Sequence, residues 1–366
     1  SSSLDIILNG MTGEINEATN RFLNMIKKNV TRLSSMIYDL LDLSKIEAGK
    51  MEMEYRFEKT NINLPVELVK NSLENLAKEQ NKSITLNLEQ NLDLVFIDTQ
   101  RMEQILTNLI SNAIKFTKEN GTIEVTTSRI TAEDLRNNKF FSSLPSDMSS
   151  EYIQISVKDN GIGIAPENWS KVFEQFAQIE NSLSRKVGGT GLGLPITKRL
   201  INAHKGFIWL NSELNQGSTF YLAVPVMNEK EIFKFSLEQD IQKAKTDQMN
   251  IALISVSEKI VEGKSFINKI LSEEIIRKNT VFKEYTNEEN GRRSYYSYTV
   301  DMDSVVFDFD IRKLKTFIKT NSAEFEECDI LYSYALYPQD GEQADILLDK
   351  LNSFSKGDID EKNINS

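Results

Sequence analysis

Three stretches rich in asparagine and glycine lie within about a hundred residues of one another, roughly the length of one domain. In chain order they run from Asn108 to Phe116, from Asp159 to Ile164 and from Gly188 to Leu194. Each alone is a weak signal, because short glycine-rich words occur by chance. In this order, with apolar strand-like segments between them, they predict a pocket for a nucleotide and its metal ion.

The first stretch lies on a predicted helix, residues 99–117. Asn108 and Asn112 are four residues apart, so both side chains leave one face of that helix. Neutral amide oxygens suit Mg²⁺, which keeps most of its waters and bridges phosphates. Lys115 can add a positive charge towards a phosphate. The alternative is an ordinary polar helix face in water.

The second stretch follows a strand-like run and places Asp159 just before Gly161 and Gly163. A carboxylate held there can accept a hydrogen bond from an exocyclic amine of a base, and glycines let the backbone approach the ring. An ordinary Asp-Asn-Gly turn is the alternative.

The third stretch places Gly191 and Gly193 immediately before a predicted helix, residues 195–204. Backbone amides at a helix N-terminus favour phosphate. The polar residues 177–190 suit a mobile lid over a ligand. Neither the Gly-x-x-x-x-Gly-Lys-Ser/Thr motif nor the dinucleotide-binding strand-turn-helix pattern occurs in the chain.

Length and composition limit the number of domains, the kinds of cysteine site and the cellular compartment. The 366 residues leave room for two or three domains. The single cysteine, Cys328, excludes structural disulfides within the chain and Cys-based zinc sites, and fits a reducing cytoplasmic compartment. No run approaches the roughly 18 apolar residues of a membrane span, and no secretory signal opens the sequence. A membrane or sensor segment could still lie upstream, because the chain begins without Met.

The net charge of −11 is uneven, with −3 in residues 1–227 and −8 in residues 228–366. Neither part has the basic surface of a nucleic-acid binder, so we expect no DNA or RNA ligand.

Residues 19–48 are predicted to form one long helix with a heptad-like apolar seam. The seam consists of Leu23, Ile26, Val30, Leu33, Ile37, Leu40 and Ser44. A shorter helix around residues 4–11 would form an antiparallel hairpin with it. Because the second half of the seam then has no partner in this chain, either a helix of another subunit covers it or part of the first helix is missing. A core-facing helix of any bundle is the alternative.

Residues 60–227 alternate strand-like and helix-like segments, which predicts helices on one face of a mixed sheet. The predicted strands are 84–88, 94–97, 122–126, 152–157, 207–210 and 219–224, and the predicted helices are 64–80, 99–117, 169–176 and 195–204. Residues 131–150 are predicted to be a polar loop.

Residues 228–366 are predicted to form a third unit with helices and strands. It has a buried strand at 250–256, a helix at 264–278, a hairpin at 294–310, a helix at 311–320, a strand at 330–337 and a closing helix at 345–351. The tail after residue 356 is predicted to be disordered.

Taken together, these motifs make residues 19–227 resemble the core of two-component sensor histidine kinases. Asn108 to Lys115 is similar to their N box, Asp159 to Gly163 to the first G box, and Phe173 to Phe176 to the F box. Gly189 to Leu194 resembles the second G box, with Gly217-Ser-Thr-Phe220 as its trailing strand motif. Leu40 to Gly49 resembles the end of the second dimerisation helix.

The resemblance implies an α+β fold with a dimerisation hairpin at 1–58 and an α/β-sandwich ATP-binding domain at 59–227, of the type shared with gyrase and heat-shock chaperones. A further α/β domain would occupy 228–356, and 357–366 would be the tail. ATP and Mg²⁺ are the implied cofactors, with Asn112 as the metal ligand. The implied nucleotide-binding residues are Asn108, Asn112, Lys115, Phe116, Asp159, Gly161, Gly163, Ile164, Phe173, Arg185, Lys186, Gly189, Thr190, Gly191, Leu192, Gly193 and Thr219.

Two positions refine this resemblance. The hydrolysing relatives have a Glu where this chain has Asn108, and an amide cannot act as a general base, so water attack is not promoted. The phosphoacceptor His belongs in the first dimerisation helix, whereas the one histidine here, His204, matches a structural position. We therefore expect the acceptor upstream of Ser1, and no autophosphorylation of these 366 residues alone.

The segment from Tyr334 to Leu348 is similar to the closing segment of GGDEF (diguanylate cyclase) domains. The signature itself and the metal-binding Asp of the first strand are missing, which implies a degenerate, non-catalytic domain. A receiver-like domain is the alternative.

We therefore expect the catalytic portion of a homodimeric histidine kinase, which transfers the γ-phosphoryl group of ATP to an upstream His and then to a response-regulator receiver domain. It would be cytoplasmic, or the cytoplasmic part of a membrane-anchored sensor. A pseudokinase or a nucleotide-binding regulatory module is the alternative, and an ATP-hydrolysing relative is disfavoured by Asn108.

Overall fold

The chain divides into two compact units, Ser1–Val226 and Met227–Ser366. The computed structural model describes residues 6–7, 11, 13, 15–47, 55–146, 148–177, 191–273, 283–302, 304–352 and 355–356. Within these ranges, no helix has both the length and the apolar character that crossing a membrane requires.

The first unit opens with a helix of 31 residues, α1 (Glu17–Glu47). Its first turn is capped by Asn16, whose Oδ1 accepts a hydrogen bond from the Thr19 amide at 2.8 Å. Along the predicted seam, Leu33, Ile37 and Leu40 each expose half or more of their side chains. Residues 6–7 are helical, and the rest of the predicted first helix lies outside the described residues.

The remainder of the first unit alternates strands and helices. In chain order these are β1 (Phe57–Thr60), α2 (Asn63–Glu79), β2 (Ser83–Leu88), β3 (Val95–Asp98), α3 (Thr99–Phe116), β4 (Thr122–Thr131), α4 (Ala132–Arg136), β5 (Glu151–Asp159), α5 (Gly193–Ala203), β6 (Phe207–Glu213) and β7 (Gly217–Pro225). The strand β1 was not predicted.

Five of these strands form a mixed sheet in the order β2-β4-β5-β7-β6. β2 is parallel to β4, and the other neighbours are antiparallel. On β5, Ile153, Ile155 and Val157 alternate with Tyr152 and point into the core that α2, α3 and α5 cover. The predicted layer of helices on one face of a mixed sheet is therefore present, and it puts the ends of α3, β5 and α5 side by side.

The other face of this sheet is partly covered by the segment between β4 and β5. Phe141 packs edge-on against Trp209, with ring centroids 5.7 Å apart, and Trp209 stacks on Tyr221 at 5.2 Å. Residues 131–150, predicted to be a polar loop, contain α4, whose capping box pairs Thr131 with Asp134. Their apolar side chains form a small second core, so the prediction of a simple loop is wrong.

The predicted helix over residues 169–176 is also absent. Two 3₁₀ turns, Pro166–Asn168 and Lys171–Phe173, occupy this region. Their backbone bonds span three residues, as from the Trp169 amide to the Pro166 carbonyl, and Phe176 has a positive φ of 61° that ends the turn. The Trp169 indole is tied instead to the Ile164 carbonyl at 3.1 Å.

The second unit is a sheet with helices on both faces. Its elements are α6 (Glu229–Asp247), β8 (Ile251–Lys259), α7 (Phe266–Ser272), β9 (Lys283–Glu289), β10 (Arg292–Val300), α8 (Ser304–Asn321), β11 (Leu331–Tyr337), α9 (Ala344–Asn352) and β12 (Ser355–Lys356). The strand order is β12-β11-β8-β10-β9, with every neighbouring pair antiparallel. From β8 to β11 this is the split β-α-β arrangement of ferredoxin-like folds.

Period-two alternation along β8 separates the two cores of this unit. Ile251 and Leu253 pack under α6 and α9, whereas Ala252, Ile254 and Val256 pack under α7 and α8. The buried strand predicted at 250–256 thus faces apolar side chains on both sides, which explains why its sequence is a continuous apolar run.

One sequence prediction fails in this unit, and one helix was not predicted. The hairpin assigned to 294–310 lies earlier, because β9 and β10 are joined at Asn290 and Gly291, both with positive φ, and residues 304–310 begin α8. The helix α6 was not predicted, although Asn228 and Glu231 form a capping box at its start. The receiver-like alternative is excluded as well, since that fold has a parallel sheet.

Candidate functional site

The helix α3 presents the two asparagines of the first stretch as a connected pair. Asn108 donates from Nδ2 to the Thr197 Oγ1 on α5 at 2.8 Å. Asn112 donates from Nδ2 to the Asn108 Oδ1 at 3.4 Å, a long hydrogen bond. The sequence predicted that both side chains share one face of the helix, and the structure brings them into contact there.

The end of α3 carries the other two candidates of this stretch. The Lys115 ammonium lies 4.7 Å from the centre of the Phe116 ring, within the range of a cation–π contact. The last turn closes where the Thr117 amide donates to the Ala113 carbonyl at 2.9 Å. The positive charge is therefore held at the end of the face that carries Asn112.

Asp159 ends β5 as a buried carboxylate that is 7% exposed. Its Oδ1 accepts hydrogen bonds from the amides of Gly161 at 2.8 Å and Ser218 at 3.4 Å. Burial raises the pKa of this carboxyl, and the two amide donors oppose that rise by stabilising the charged form. The backbone thus orients one carboxylate oxygen and leaves the other oxygen without a hydrogen bond from these two amides.

The loop after Asp159 is pinned on both sides. The Ile162 amide donates to the Phe116 carbonyl of α3 at 3.3 Å, and the Ile164 amide donates to the Ser212 Oγ of β6 at 2.7 Å. Gly163 has a φ of +69°, and a Cβ on it would meet the Glu213 carbonyl oxygen at 1.9 Å. Only glycine fits this position, because both the conformation and the space exclude a side chain.

The third stretch brings α5 against α3. Gly191 has a φ of +72°, and its carbonyl accepts from the Phe176 amide at 3.0 Å. Leu192 is 3% exposed and packs in the core. Gly193 begins α5 so close to Asn108 that a Cβ there would lie 2.3 Å from the Oδ1 atom. Four predicted residues, Arg185, Lys186, Gly189 and Thr190, lie outside the described residues.

Two predicted residues do not join this group. Phe173 is 8% exposed and packs in the core, edge-on against Phe220 at 6.5 Å and Phe140 at 6.3 Å. Thr219 alternates with Phe220 along β7, so it lies with Tyr221 on the sheet face away from α3 and α5. Phe173 therefore supports the site from the core, and the structure corrects the placement of Thr219.

Sequence reasoning missed three polar residues that hold the site. The Ser218 amide donates to Asp159, and the Ser218 Oγ is 2.8 Å from the Ser212 Oγ. Thr197, 1% exposed, accepts from Asn108. The motif from Gly217 to Phe220 signalled the position of Ser218, but no sequence pattern indicated Ser212 or Thr197, because their partners are distant along the chain.

His204 has a structural environment. It is 1% exposed, its Nε2 accepts from the Asp98 amide at 3.0 Å, and its Nδ1 donates to the Leu200 carbonyl at 2.7 Å. Burial lowers the pKa of this imidazole, although its bond to Leu200 and the nearby Asp98 oppose the shift. Since both ring nitrogens are engaged, neither is available to attack a phosphoryl group.

The donor set fits a magnesium nucleotide. Amide oxygens are ligands that Mg²⁺ accepts, and Asn112 offers one on a partly buried helix face. A buried carboxylate such as Asp159 can accept a hydrogen bond from an amine of a base. The amides that begin α5 suit a phosphate. These groups lie on adjoining elements of one unit.

Known proteins share this part of the chain. Residues 97–228 match the family described as histidine kinase-, DNA gyrase B-, and HSP90-like ATPases. The signal transduction histidine-protein kinase BarA of Escherichia coli (strain K12) is 35% identical over 230 residues, which cover 59% of this chain and 23% of BarA. The sensor histidine kinase WalK of Bacillus subtilis (strain 168) is 33% identical over 213 residues, covering 58% of this chain and 31% of WalK.

Among solved structures, full-length ShkA in complex with AMPPNP is 25% identical, covers 61% of this chain and 43% of ShkA, and superposes with a TM-score of 0.45. The chain therefore spans less than a third of BarA or WalK and less than half of the ShkA chain. Within a mixed α+β fold, the predicted α/β-sandwich ATP-binding domain, of the type that histidine kinases, DNA gyrase B and HSP90 share, is confirmed for residues 97–228. The similarity to histidine kinases of two-component signal transduction is confirmed at the level of this family.

Proposed function

We propose that this chain supplies the ATP-binding and dimerisation parts of a two-component sensor histidine kinase. It binds Mg-ATP and directs the γ-phosphoryl group to a histidine outside these 366 residues, and from there to a response regulator. The observation that carries the proposal is the hydrogen bond from the Ile162 amide to the Phe116 carbonyl. It pins the loop of Asp159 to the helix of Asn108 and Asn112, so the groups for base and metal adjoin.

Each group has a role that its position supports. The Asp159 oxygen that neither amide contacts would accept a hydrogen bond from the adenine amine, and Gly163 lets the loop backbone approach the ring. Lys115 approaches the phosphates from the end of α3, and Asn112 offers its amide oxygen to the metal. Mg²⁺ held by Asn112 would offset the negative charge of the phosphates.

Asn108 favours transfer over hydrolysis. Its amide is engaged with Thr197 and Asn112, and an amide cannot remove a proton from water. In the transfer, an imidazole nitrogen forms a bond to the γ-phosphorus, the bond from that phosphorus to the bridging oxygen breaks, and ADP leaves with the electron pair. The chain contributes mainly by positioning the nucleotide.

The exposed seam of α1 supports homodimerisation. Leu33, Ile37 and Leu40 follow each other at steps of four and three, and each is at least half exposed in the single chain. A second copy would bury this seam in a helical bundle. Response regulators dock as the phosphoryl acceptors of such kinases, and we propose a receiver domain as the partner.

For the second unit we propose a degenerate GGDEF-like regulatory domain without cyclase activity. The similarity of residues 334–348 to the closing GGDEF segment supports this, and so does the antiparallel split β-α-β topology from β8 to β11. The turn of its hairpin is Asn290-Gly291, with no Gly-Gly-Asp/Glu-Glu-Phe around it. Synthesis of a cyclic dinucleotide from GTP by the full chain would contradict this assignment.

Two measurements test the kinase proposal. The 366-residue chain should bind ATP by calorimetry in a Mg²⁺-dependent way, and the complete product of the gene should acquire an acid-labile, base-stable phosphoryl group from γ-labelled ATP. Binding without any phosphoryl transfer would support the pseudokinase alternative instead. A chain that binds no ATP with or without Mg²⁺ would overturn both.

A further inference from the structure

Thr197 is a buried hydroxyl on α5 that none of the roles above uses. Its side chain is 1% exposed, and its Oγ1 lies 2.8 Å from the Asn108 Nδ2. The residue lies one turn after Gly193, on the helix that begins at the glycine-rich stretch. Its hydroxyl contacts Asn108, so we expect its effect on a bound nucleotide or metal to pass through that asparagine.

The contact continues from Asn108 to Asn112 as a short relay. The Asn108 amide uses its nitrogen towards Thr197 and its oxygen towards the Asn112 Nδ2. The oxygen and the nitrogen of a carboxamide diverge from the same carbon, so an amide whose nitrogen faces Asn108 directs its oxygen elsewhere. The relay thus favours the orientation in which Asn112 presents its oxygen to a ligand.

We propose that Thr197 is a positioning residue that orients the Asn112 oxygen towards Mg²⁺ by accepting the hydrogen bond of Asn108. The inference rests on the proposed function, because it needs the metal of Mg-ATP. Groups that orient a metal ligand from behind change metal affinity by roughly 10- to 100-fold when removed. Here the orienting group comes from α5, whereas both asparagines belong to α3.

The metal determines which atoms donate and which accept along the two hydrogen bonds of the relay. A cation binds the amide oxygen of Asn112, which leaves the Asn112 nitrogen to face Asn108. Asn108 must then offer its oxygen to Asn112 and its nitrogen to Thr197. The Thr197 hydroxyl oxygen can accept a hydrogen bond from the Asn108 nitrogen, whereas the methyl group that replaces it in valine cannot.

Close packing holds Asn108 in this orientation. Gly193 lies so near that a Cβ on it would be 2.3 Å from the Asn108 Oδ1 and 3.1 Å from the Nδ2. The amide therefore has little space to swing away from Thr197. The first turns of α5 thus restrict the side-chain orientation of Asn108 through the Gly193 contact and the Thr197 hydrogen bond. The orientation of Asn112 should therefore depend on the Thr197 hydroxyl.

Thr197→Val tests the proposal, because valine has nearly the same shape and lacks the hydroxyl. ATP binding to the full chain should be followed by calorimetry while MgCl₂ is varied. We expect the Mg²⁺ concentration for half-maximal binding to rise roughly tenfold, whereas binding of ATP in EDTA stays within about twofold. Thr197→Ser restores the hydroxyl and should return the Mg²⁺ dependence to that of the wild type.

Thermal unfolding of each variant shows whether it is folded. If Thr197→Val is unfolded, Thr197→Ala is measured in its place, because it removes the hydroxyl and adds no atom near Asn108. An unchanged Mg²⁺ dependence in a folded variant would overturn the relay. So would an equal loss of binding with Mg²⁺ and with EDTA, or failure of Thr197→Ser to restore the dependence. A wild-type chain that binds ATP equally with and without Mg²⁺ would refute the proposed metal site instead.

Discussion

Gly193 and Asn108 are in such close contact that a Cβ on the glycine would lie 2.3 Å from the asparagine Oδ1 and 2.9 Å from its Cγ. Gly193 is the first residue of α5 and has helical geometry, so its backbone does not require glycine. Glycine is required here because the Asn108 side chain leaves no space for a Cβ. The third stretch is therefore fitted to the first asparagine of α3, and this contact joins two of the three motifs.

Gly193→Ala should displace the Asn108 amide and break its hydrogen bond to Thr197. We expect ATP affinity to fall about tenfold, and overpacking to lower the free energy of unfolding by about 1 kcal/mol. Calorimetry of ATP binding and urea unfolding measure the two effects.

The matched control for Gly193→Ala is the same change in an Asn108→Ala background. With the amide gone, the added methyl group has space, and alanine favours a helix over glycine. The double-mutant cycle should then show a coupling energy of about 1 kcal/mol. Additive effects would mean that the two residues do not interact as the structure indicates.

Asp159→Asn should separate nucleotide recognition from stability. The amide oxygen of asparagine can still accept hydrogen bonds from the Gly161 and Ser218 amides. Its NH₂ group, however, is a donor and would face the adenine amine, which is also a donor. We expect ATP affinity to fall roughly tenfold to hundredfold. Because burial raises the pKa of this carboxyl, removing its charge should leave the unfolding temperature unchanged or higher. Asp93→Asn, at an exposed carboxylate that pairs with Arg129, is the control and should alter neither quantity.

His204 should make the first unit less stable in mild acid. Its pKa in the folded state is lowered by burial, so the unfolded state binds a proton more readily. The stabilising effect of the neutral imidazole is complete above its unfolded pKa of about 6.5 and is lost as the pH falls below that value. The free energy of unfolding should drop by at most about 1.4 kcal/mol per pH unit from this group.

Urea unfolding at several pH values from about 7.5 to 5.5 checks this prediction, a window that spans the unfolded pKa of histidine. His204→Gln has no titrating group and should show a flatter dependence over the same range. A slope equal to that of the wild type would mean that other groups cause the acid sensitivity. The binding of ATP at pH 7.5 should persist in this variant if it folds, because the two ring nitrogens of His204 bond to Asp98 and Leu200, neither of which is a predicted site residue.

Leu33→Glu should weaken self-association through α1. The side chain is 59% exposed in the single chain, and a charge placed in a packed seam costs several kcal/mol. We expect a dimer at least roughly a hundredfold weaker, measured by size-exclusion chromatography with light scattering. Asn24→Glu, on another face of the helix, is the control. A monomeric wild type, or equal effects of both changes, would contradict a dimer through this seam.

Local patterns predicted most of the elements. The run from Tyr152 to Val157 predicted the strand β5, and the segment from residue 99 to residue 117 predicted the helix α3. The wrong predictions fall where contacts between residues distant along the chain determine the secondary structure. Residues 294–310 contain most of β10 and the start of α8, whereas the hairpin partner of β10 is β9, which lies earlier in the chain.

The sequence alone determined the kind of chemistry, because residue types and short spacings carry it. Asn108 and Asn112 share a helix face through their spacing, and Asp159 precedes its glycines directly. Tertiary structure alone decided which groups meet. Thr197 reaches Asn108, and Ser218 reaches Asp159, across long stretches of chain, and Thr219 is turned to the opposite face of its strand. Such contacts depend on how helices and strands pack, and a linear pattern contains no record of that packing.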